Sequence, residues 1–333
     1  MPLKPDADEI AQYLSSLATS CRLDSSRRWW PKYVYHSTHV ENAAAILESG
    51  RLRCRAQVQA GQLVKDSASQ QIIAGLSKTQ KRWVRLYLRP RAPTQYVNEG
   101  VRPPSGYEYG AAMPVPVYFL FSAPELLGEQ GVSFTPGRLQ SGASIGSTAD
   151  DLREIPFKDV YHDGGVGQPG SERRAEILNA RHAEVLVKNE LALNHLAFVF
   201  CRSQPERQTL LNLLSQSARK RWSSRVVVQT HQNLFYKRGT HVEAVTLAAD
   251  ECVFRFYTSI LTKFLGPFSI DFQWRGDDGW AAHWKRSGYY IPRNPLRFNL
   301  DPEHAQYQVT LRMDGDLIYQ GSFEHTPPAP AVF

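Results

Sequence analysis

Long apolar runs are missing from this chain of 333 residues. Nothing approaches the roughly 18 consecutive apolar residues that a membrane-spanning helix needs. The first residues, Met1-Pro-Leu-Lys-Pro-Asp-Ala-Asp-Glu9, are polar and acidic where a secretory leader is basic and then apolar. No membrane association is expected, and a cytoplasmic protein is the default. Cysteine is also scarce. Cys21, Cys54, Cys201 and Cys252 are scattered, with no Cys-x-x-Cys pair and no histidine at ligand spacing. That excludes a disulfide framework and offers no zinc site, so no metal is expected.

What is present is ordinary for a globular protein, with 42% hydrophobic and 21% charged residues. The length suggests two domains, or one large one. Lys and Arg number 39 against 32 for Asp and Glu, a modest excess of +7, so its distribution matters more than its sum. Between Ser77 and Arg102 lie Lys78, Lys81, Arg82, Arg85, Arg89, Arg91 and Arg102 against the single acid Glu99. Such a local surplus points to an anionic ligand.

Along the chain, a weak helical pattern over residues 7 to 20 precedes a basic and aromatic patch at Arg27, Arg28, Trp29 and Trp30, read as a hydrophobic staple in preference to a base-stacking surface. Val34 to Thr38 reads as a strand and Val40 to Ser49 as an amphipathic helix closed by Gly50. His36 fits a structural histidine, or a polar side chain meeting an anion where a strand runs into a helix N-terminus. A helix from Ser67 to about Trp83 would place Lys78, Lys81, Arg82 and Arg85 on one face. Strands follow at Val84 to Leu88, Val115 to Ser122 and Val132 to Thr135, then two Gly-rich stretches, 137 to 148 and 163 to 171, that lead into Ala180 to Lys188. There Glu184 stands among strand formers. Ala183, Val185 and Val187 alternate onto one face and His182, Glu184, Leu186 and Lys188 onto the other. Either Glu184 pairs with Arg181 or faces solvent, or it is a carboxylate aimed into a cleft.

A strand at His195 to Cys201 and a helix at Pro205 to Gln216 lead to the basic, polar segment Ala218 to Ser224, where the domain boundary is placed: residues 1–217 and 218–333. Beyond it, short runs from Val226 onward, separated by Gly, Asp, Asn and Pro, predict an antiparallel sandwich of about six or seven strands, with a helix near Thr258 to Leu265. Met313-Asp-Gly-Asp316 is a tight hairpin signal.

Four segments, Tyr35 to Leu52, Leu86 to Pro93, Ala183 to Val187 and Ala197 to Arg202, resemble the DarT family of DNA ADP-ribosyltransferase toxins over about residues 33 to 215. The resemblance implies an α+β fold with an ADP-ribosyltransferase-like mixed β core and flanking helices, to which the β-sandwich-like domain is an addition. It implies NAD as co-substrate, transfer of ADP-ribose to a base of single-stranded DNA, and a DarG-like macrodomain antitoxin as partner in a toxin and antitoxin, anti-phage pair. Glu184 would be catalytic, with an arginine from the NAD-binding element at about Gln57 to Arg85. Arg82 is placed in that role, with Lys78, Lys81 and Arg85 as alternatives. His36, Ser37, Thr38, Ala45, Arg53 and Arg91 would bind NAD. The loop at about Arg138 to Ala183 would present the target base. Arg85, Arg89, Tyr96 and Tyr107 would meet the nucleic acid, with Tyr87 and Tyr109 also available to stack a base. The Arg89-Pro90 pair and the added domain depart from the family pattern. RNA or protein as the acceptor, or a silent nucleic-acid-binding module, are the rival readings.

Overall fold

The computed structural model describes residues 2–58, 74–107, 111–228, 233–276, 279–291, 295–300 and 305–324. Helix α1 (Ala7–Ser20) buries Ile10, Leu14 and Leu17, one stripe at helical spacing. Helix α2 (Val40–Ser49) buries Val40, Ala43, Ala44 and Leu47 and ends at Gly50 in the left-handed conformation. The first nine strands are β1 (Tyr33–His39), β2 (Arg51–Arg53), β3 (Trp83–Tyr87), β4 (Pro116–Ser122), β5 (Val132–Thr135), β6 (Glu184–Lys188), β7 (Glu190–Ala192), β8 (Leu196–Cys201) and β9 (Val226–Val228).

Seven of these form one sheet in the order β5-β6-β3-β1-β4-β8-β9, antiparallel except for β8 with β9. β2 and β7 pair beside it. One face packs Val34, Val84, Leu86, Phe119, Phe121, Val185 and Val187 with the buried stripes of both helices, and the other holds Tyr35, Tyr118, Leu120, Phe200, Leu234 and Phe235. Strand residues alternate faces, so this division follows from the period-2 pattern. The mixed α+β core is as expected.

Three local expectations are corrected. Residues 67–73 of the expected helix lie outside the described residues. Its end is a 3-10 turn, Gln80–Arg82, and Arg85 lies on β3. The four cations therefore do not share a helix face, because pairing of Trp83–Tyr87 with β6 imposes the two-residue period there. Ala218 to Ser224 is mainly helix, Gln216–Trp222, with buried Trp222 donating to the Leu47 carbonyl. Val226–Val228 then completes the first sheet and does not begin the sandwich. The helix expected at 258–265 is one 3-10 turn, Thr262–Phe264. Trp30 is fully buried in the first core beside Tyr161 and not against a following domain.

The later strands are β10 (His241–Leu247), β11 (Glu251–Tyr257), β12 (Phe268–Gly276), β13 (Ala281–Tyr289), β14 (Leu296–Asn299), β15 (Gln306–Met313) and β16 (Asp316–Glu324). They form sheets β10-β11-β14 and β13-β12-β15-β16. Phe272 and Phe298 stack at 3.8 Å in the core between them. β16 lies on the helix Gln204–Leu213, where Thr209 Oγ1 accepts from Gln320 N–H and Tyr319 donates to Gln208. Leu317 enters the first core. No helix among the described residues is long and apolar enough to cross a membrane.

The two parts also meet backbone to backbone. Gly100 has φ +91°, and a Cβ there would lie 2.6 Å from the Gly239 Cα. Gly100→Ala is expected to lower stability by about 2–3 kcal/mol, since neither the backbone angle nor the space admits a methyl group. Thermal unfolding of the purified variant measures it.

Candidate active site

Glu184 opens β6, directly opposite Tyr87 of β3 on one side and Thr135 of β5 on the other. Leu186, on the same face, is fully buried, so β6 is covered on both sides and Glu184 is only 3% exposed. Its carboxylate accepts the Leu139 N–H at 3.1 Å and lies 3.8 Å from the Arg85 guanidinium. Arg181, the partner that sequence adjacency suggests, instead reaches His162 and the Gly164 carbonyl. Burial raises the Glu184 pKa above the usual carboxylate range, against the pull of Arg85, the Leu139 amide and Arg138. Opposite it, burial and the Glu184 charge push the Tyr87 phenol up as well.

Arg138 and His182 complete this wall. His182 Nδ1 faces the Leu178 carbonyl at 2.7 Å and therefore carries the proton, leaving Nε2 to accept from Arg138 at 2.7 Å. Burial and the adjacent guanidinium lower its pKa to about 4, so the ring is neutral near pH 7. Neither residue stands out in the sequence. The available signals were Arg138 at the mouth of the loop leading to Glu184 and His182 two residues before it, on the face read for Glu184.

His36 is on β1, which lies next to β3. Its Nδ1 is 3.2 Å from the Arg85 carbonyl, so that nitrogen donates and Nε2 remains an acceptor. Burial lowers its pKa to about 4. β3 lies between β1 and β6, and the β1 residue in register with Tyr87 and Glu184 is Tyr35, so His36 sits one place along from that row. Thr38 is buried, its hydroxyl accepting from Asn42, and Ser37 is partly exposed. Ala45 is on the outer face of α2 and Arg53 is exposed on β2 opposite Glu190.

The remaining expected residues divide. Arg85 is beside Glu184. Arg82, placed in that role from the sequence, is exposed at the other end of β3, next to the Trp83–Lys188 pair. The correction follows from register, since the four strand residues from Trp83 to Leu86 separate Arg82 from Tyr87, the partner of Glu184. Arg89 is 1% exposed and donates to the carbonyls of Pro90, Val160 and His162, so it does not present a cation to a nucleic acid. Arg91 pairs with Asp163 at 3.2 Å and covers the Tyr236 ring. Tyr96 is exposed, whereas Tyr107 donates to Asp316 of the sandwich. Tyr109 lies outside the described residues. No group of three or more His, Cys, Asp or Glu among the described residues is placed to hold a metal ion.

Arg85 gives a pH-dependent test. A reaction that needs the Glu184 carboxylate ionised fails as pH falls through its raised pKa. Without Arg85 that pKa rises further, because the partner favouring the charged form is gone. Arg85→Gln is therefore expected to lose about 10²-fold in turnover near neutrality and to move the acidic limb of the rate profile to higher pH. His36, already neutral, adds no limb near pH 7.

A desolvated carboxylate facing one arginine and one backbone amide, among neutral His and Tyr side chains, suits enzymes that stabilise a cationic sugar while a glycosyl group is transferred. The family described as ssDNA thymidine ADP-ribosyltransferase, DarT, matches residues 35–236, more than half of the chain, and the chain belongs to it. It is thus an enzyme that transfers ADP-ribose to a DNA base. Among solved structures, Thermus sp. 2.9 DarT in complex with ADP-ribosylated ssDNA is 19% identical, with a TM-score of 0.49, covering 62% of this chain and 97% of that one. The same protein in complex with NAD+ is 18% identical with a TM-score of 0.46, covering 62% and 98%. Thermosipho africanus DarTG in complex with ADP-ribose is 15% identical with a TM-score of 0.45, covering 65% and 53%. No curated protein matches the chain.

Proposed function

We propose that the protein takes ADP-ribose from NAD and attaches it to a thymidine base of single-stranded DNA, with Glu184 as the catalytic residue. The observation that carries this is Glu184 itself, buried beside Arg85 at the strand end where the loop from Arg138 to Ala183 returns to the sheet. As the nicotinamide C–N bond breaks, its electron pair leaves with nicotinamide and positive charge grows on the ribose, which the carboxylate stabilises. The thymine ring nitrogen then forms the new bond to the same sugar carbon, and its proton passes to Glu184. A raised carboxylate pKa suits that second task. His36 Nε2, Ser37, Thr38, Arg53 and Arg91 are assigned to the dinucleotide side, with Ala45 at its rim. Arg85 takes the role first given to Arg82.

In this reading the catalytic part runs to about residue 236 and the β-rich part follows it, since β9 belongs to the first sheet. The enzyme acts in the cytoplasm as the toxin of an anti-phage pair, with a DarG-like macrodomain protein removing the mark. Restoration of growth by a co-expressed macrodomain hydrolase tests the pairing. The central test incubates the protein with labelled NAD and, separately, single-stranded DNA, duplex DNA, RNA and a protein lysate. Label on single-stranded DNA alone, mapped to thymidine, is expected. Label only on RNA or protein, or binding without nicotinamide release, would overturn the substrate or the activity.

A further inference from the structure

Tyr96 is 44% exposed, on the short helix Pro93–Asn98. The Arg238 guanidinium lies flat enough over its ring to come within 3.7 Å of the centroid, and donates to the Tyr96 carbonyl at 3.0 Å. Tyr236 meets Tyr96 edge-on at 5.1 Å, and Arg91 covers Tyr236 at 4.4 Å. The result is a continuous ladder, Arg91-Tyr236-Tyr96-Arg238. Its Arg91 end lies four residues beyond Tyr87, the strand partner of Glu184.

The strap that brings Tyr236 and Arg238 here is held from beneath. Glu99, fully buried, accepts the N–H groups of Tyr236 at 2.9 Å and Lys237 at 2.8 Å, and the Gln95 amide at 2.6 Å. Lys237 is locked at φ +53°, a conformation unfavourable for a residue with a side chain, and its ammonium end is exposed. A staple joining the two parts of the protein would need the Arg238–Tyr96 contact. It would not need the rest. Arg89, Arg91 and Arg181 crowd around a single paired acid, Asp163. The Nε atoms of Arg91 and Arg181 are buried with no hydrogen-bond partner. Lys237 adds a further cation. The Ser259 hydroxyl donates to the Arg238 carbonyl, and the next residue, Ile260, is 89% exposed.

Cations in surplus beside an open aromatic ring fit a single strand of nucleic acid, whose phosphates need charge and whose bases need a stacking face. We infer that this ladder is a second nucleotide subsite for the DNA strand. The phosphate next to the target nucleotide rests on Arg181 and Lys237, and the neighbouring base stacks on the Tyr96–Arg238 pair. Arg238 lies beyond the family match at residue 236, so the subsite is supplied partly by the added region of this chain. The inference rests on the reading of single-stranded DNA as acceptor.

The test uses the full chain and a fluorescein-labelled oligothymidine, with binding followed by anisotropy in the absence of NAD. Tyr96→Ala and Arg238→Ala are each expected to weaken binding about tenfold, the loss of one stacked base, while Tyr96→Phe binds like the parent. Lys237→Ala is expected to flatten the dependence of log affinity on log salt by about 0.7. In steady state the KM for DNA should rise and that for NAD should not. Circular dichroism melting checks that each variant is folded. Affinities within twofold of the parent for both Ala variants would overturn the subsite, and so would a loss that falls on the KM for NAD. Equal binding and modification of oligouridine would overturn its assignment to DNA. If the parent labels no DNA while the Ala variants still lose oligothymidine binding, the subsite stands and the transferase reading fails.

Discussion

Glu184→Gln is expected to reduce ADP-ribose transfer by at least about 10³-fold while leaving the protein as stable as the parent or more so. The activity loss follows from two roles lost together. A single preorganised group facing developing charge is worth about 10²–10³-fold, and a positioned base about 10²–10⁴-fold. Glutamine keeps the shape and an oxygen for the Leu139 N–H, but it offers no negative charge and takes no proton. The stability expectation comes from the raised pKa. A carboxyl whose folded pKa lies above its unfolded value favours folding below the unfolded value, and that advantage is lost as pH rises through the folded one. Where Glu184 is ionised its enclosed charge burdens the native state, and a neutral amide relieves that burden, although Arg85 loses its partner. The pair of measurements, labelled product and thermal midpoint, separates a functional carboxylate from a structural one. Transfer within tenfold of the parent would remove Glu184 from the mechanism, and a fall in midpoint equal to that of a core mutant would make its role structural.

Glu184 was legible because a carboxylate among Ala, Val and Leu at strand spacing has few inexpensive explanations. The sandwich was legible for a similar reason. Short runs at regular spacing, and an Asp314-Gly315 turn with both residues at positive φ, admit little besides antiparallel hairpins. Arg85 shows where pattern stopped. Lys78, Lys81, Arg82 and Arg85 match a helical template, yet Arg85, Tyr87 and Arg89 match a strand equally well. Pairing with β6, about a hundred residues later, decided between them. Arg89 shows a second limit. Its donors are satisfied by the carbonyls of Val160 and His162, more than seventy residues away, so nothing local distinguishes it from an exposed cation. The segment from Ala218 to Ser224 was basic and polar enough to read as a linker, although Trp222 anchors it against α2. The groups around Glu184 to which the sequence pattern assigned no role, the Arg138 side chain and the Leu139 amide, act through positions set by a loop, and loops carry no periodicity from which to read them.

The strap under the proposed subsite depends on a buried ion network whose disruption gives the largest expected change in stability. Arg202, 3% exposed, bonds Glu206 through Nε at 3.1 Å and through a second, shorter contact, reaches the Pro114 carbonyl at 2.9 Å, and lies 3.7 Å from Glu99. Both carboxylates are buried as well, and burial raises the Glu206 pKa against the pull of Arg202. Arg202→Met would leave two enclosed acids without their cation, a situation that costs about 3–5 kcal/mol. For a protein of this size that lowers the thermal midpoint by about 4–7 °C. The sign with pH is fixed. Without Arg202 the Glu206 pKa rises further, and a raised folded pKa favours folding at low pH and is lost as pH increases. The deficit of the variant should thus be smaller at pH 5 than at pH 8. Adding Glu206→Gln to Arg202→Met should recover part of the loss, because the stranded charge is removed. A deficit independent of pH and unrelieved by Glu206→Gln would show that Arg202 contributes packing alone. If the network instead holds the strap, oligothymidine affinity should fall with the midpoint, because Glu99 fixes the backbone of Tyr236 and Lys237.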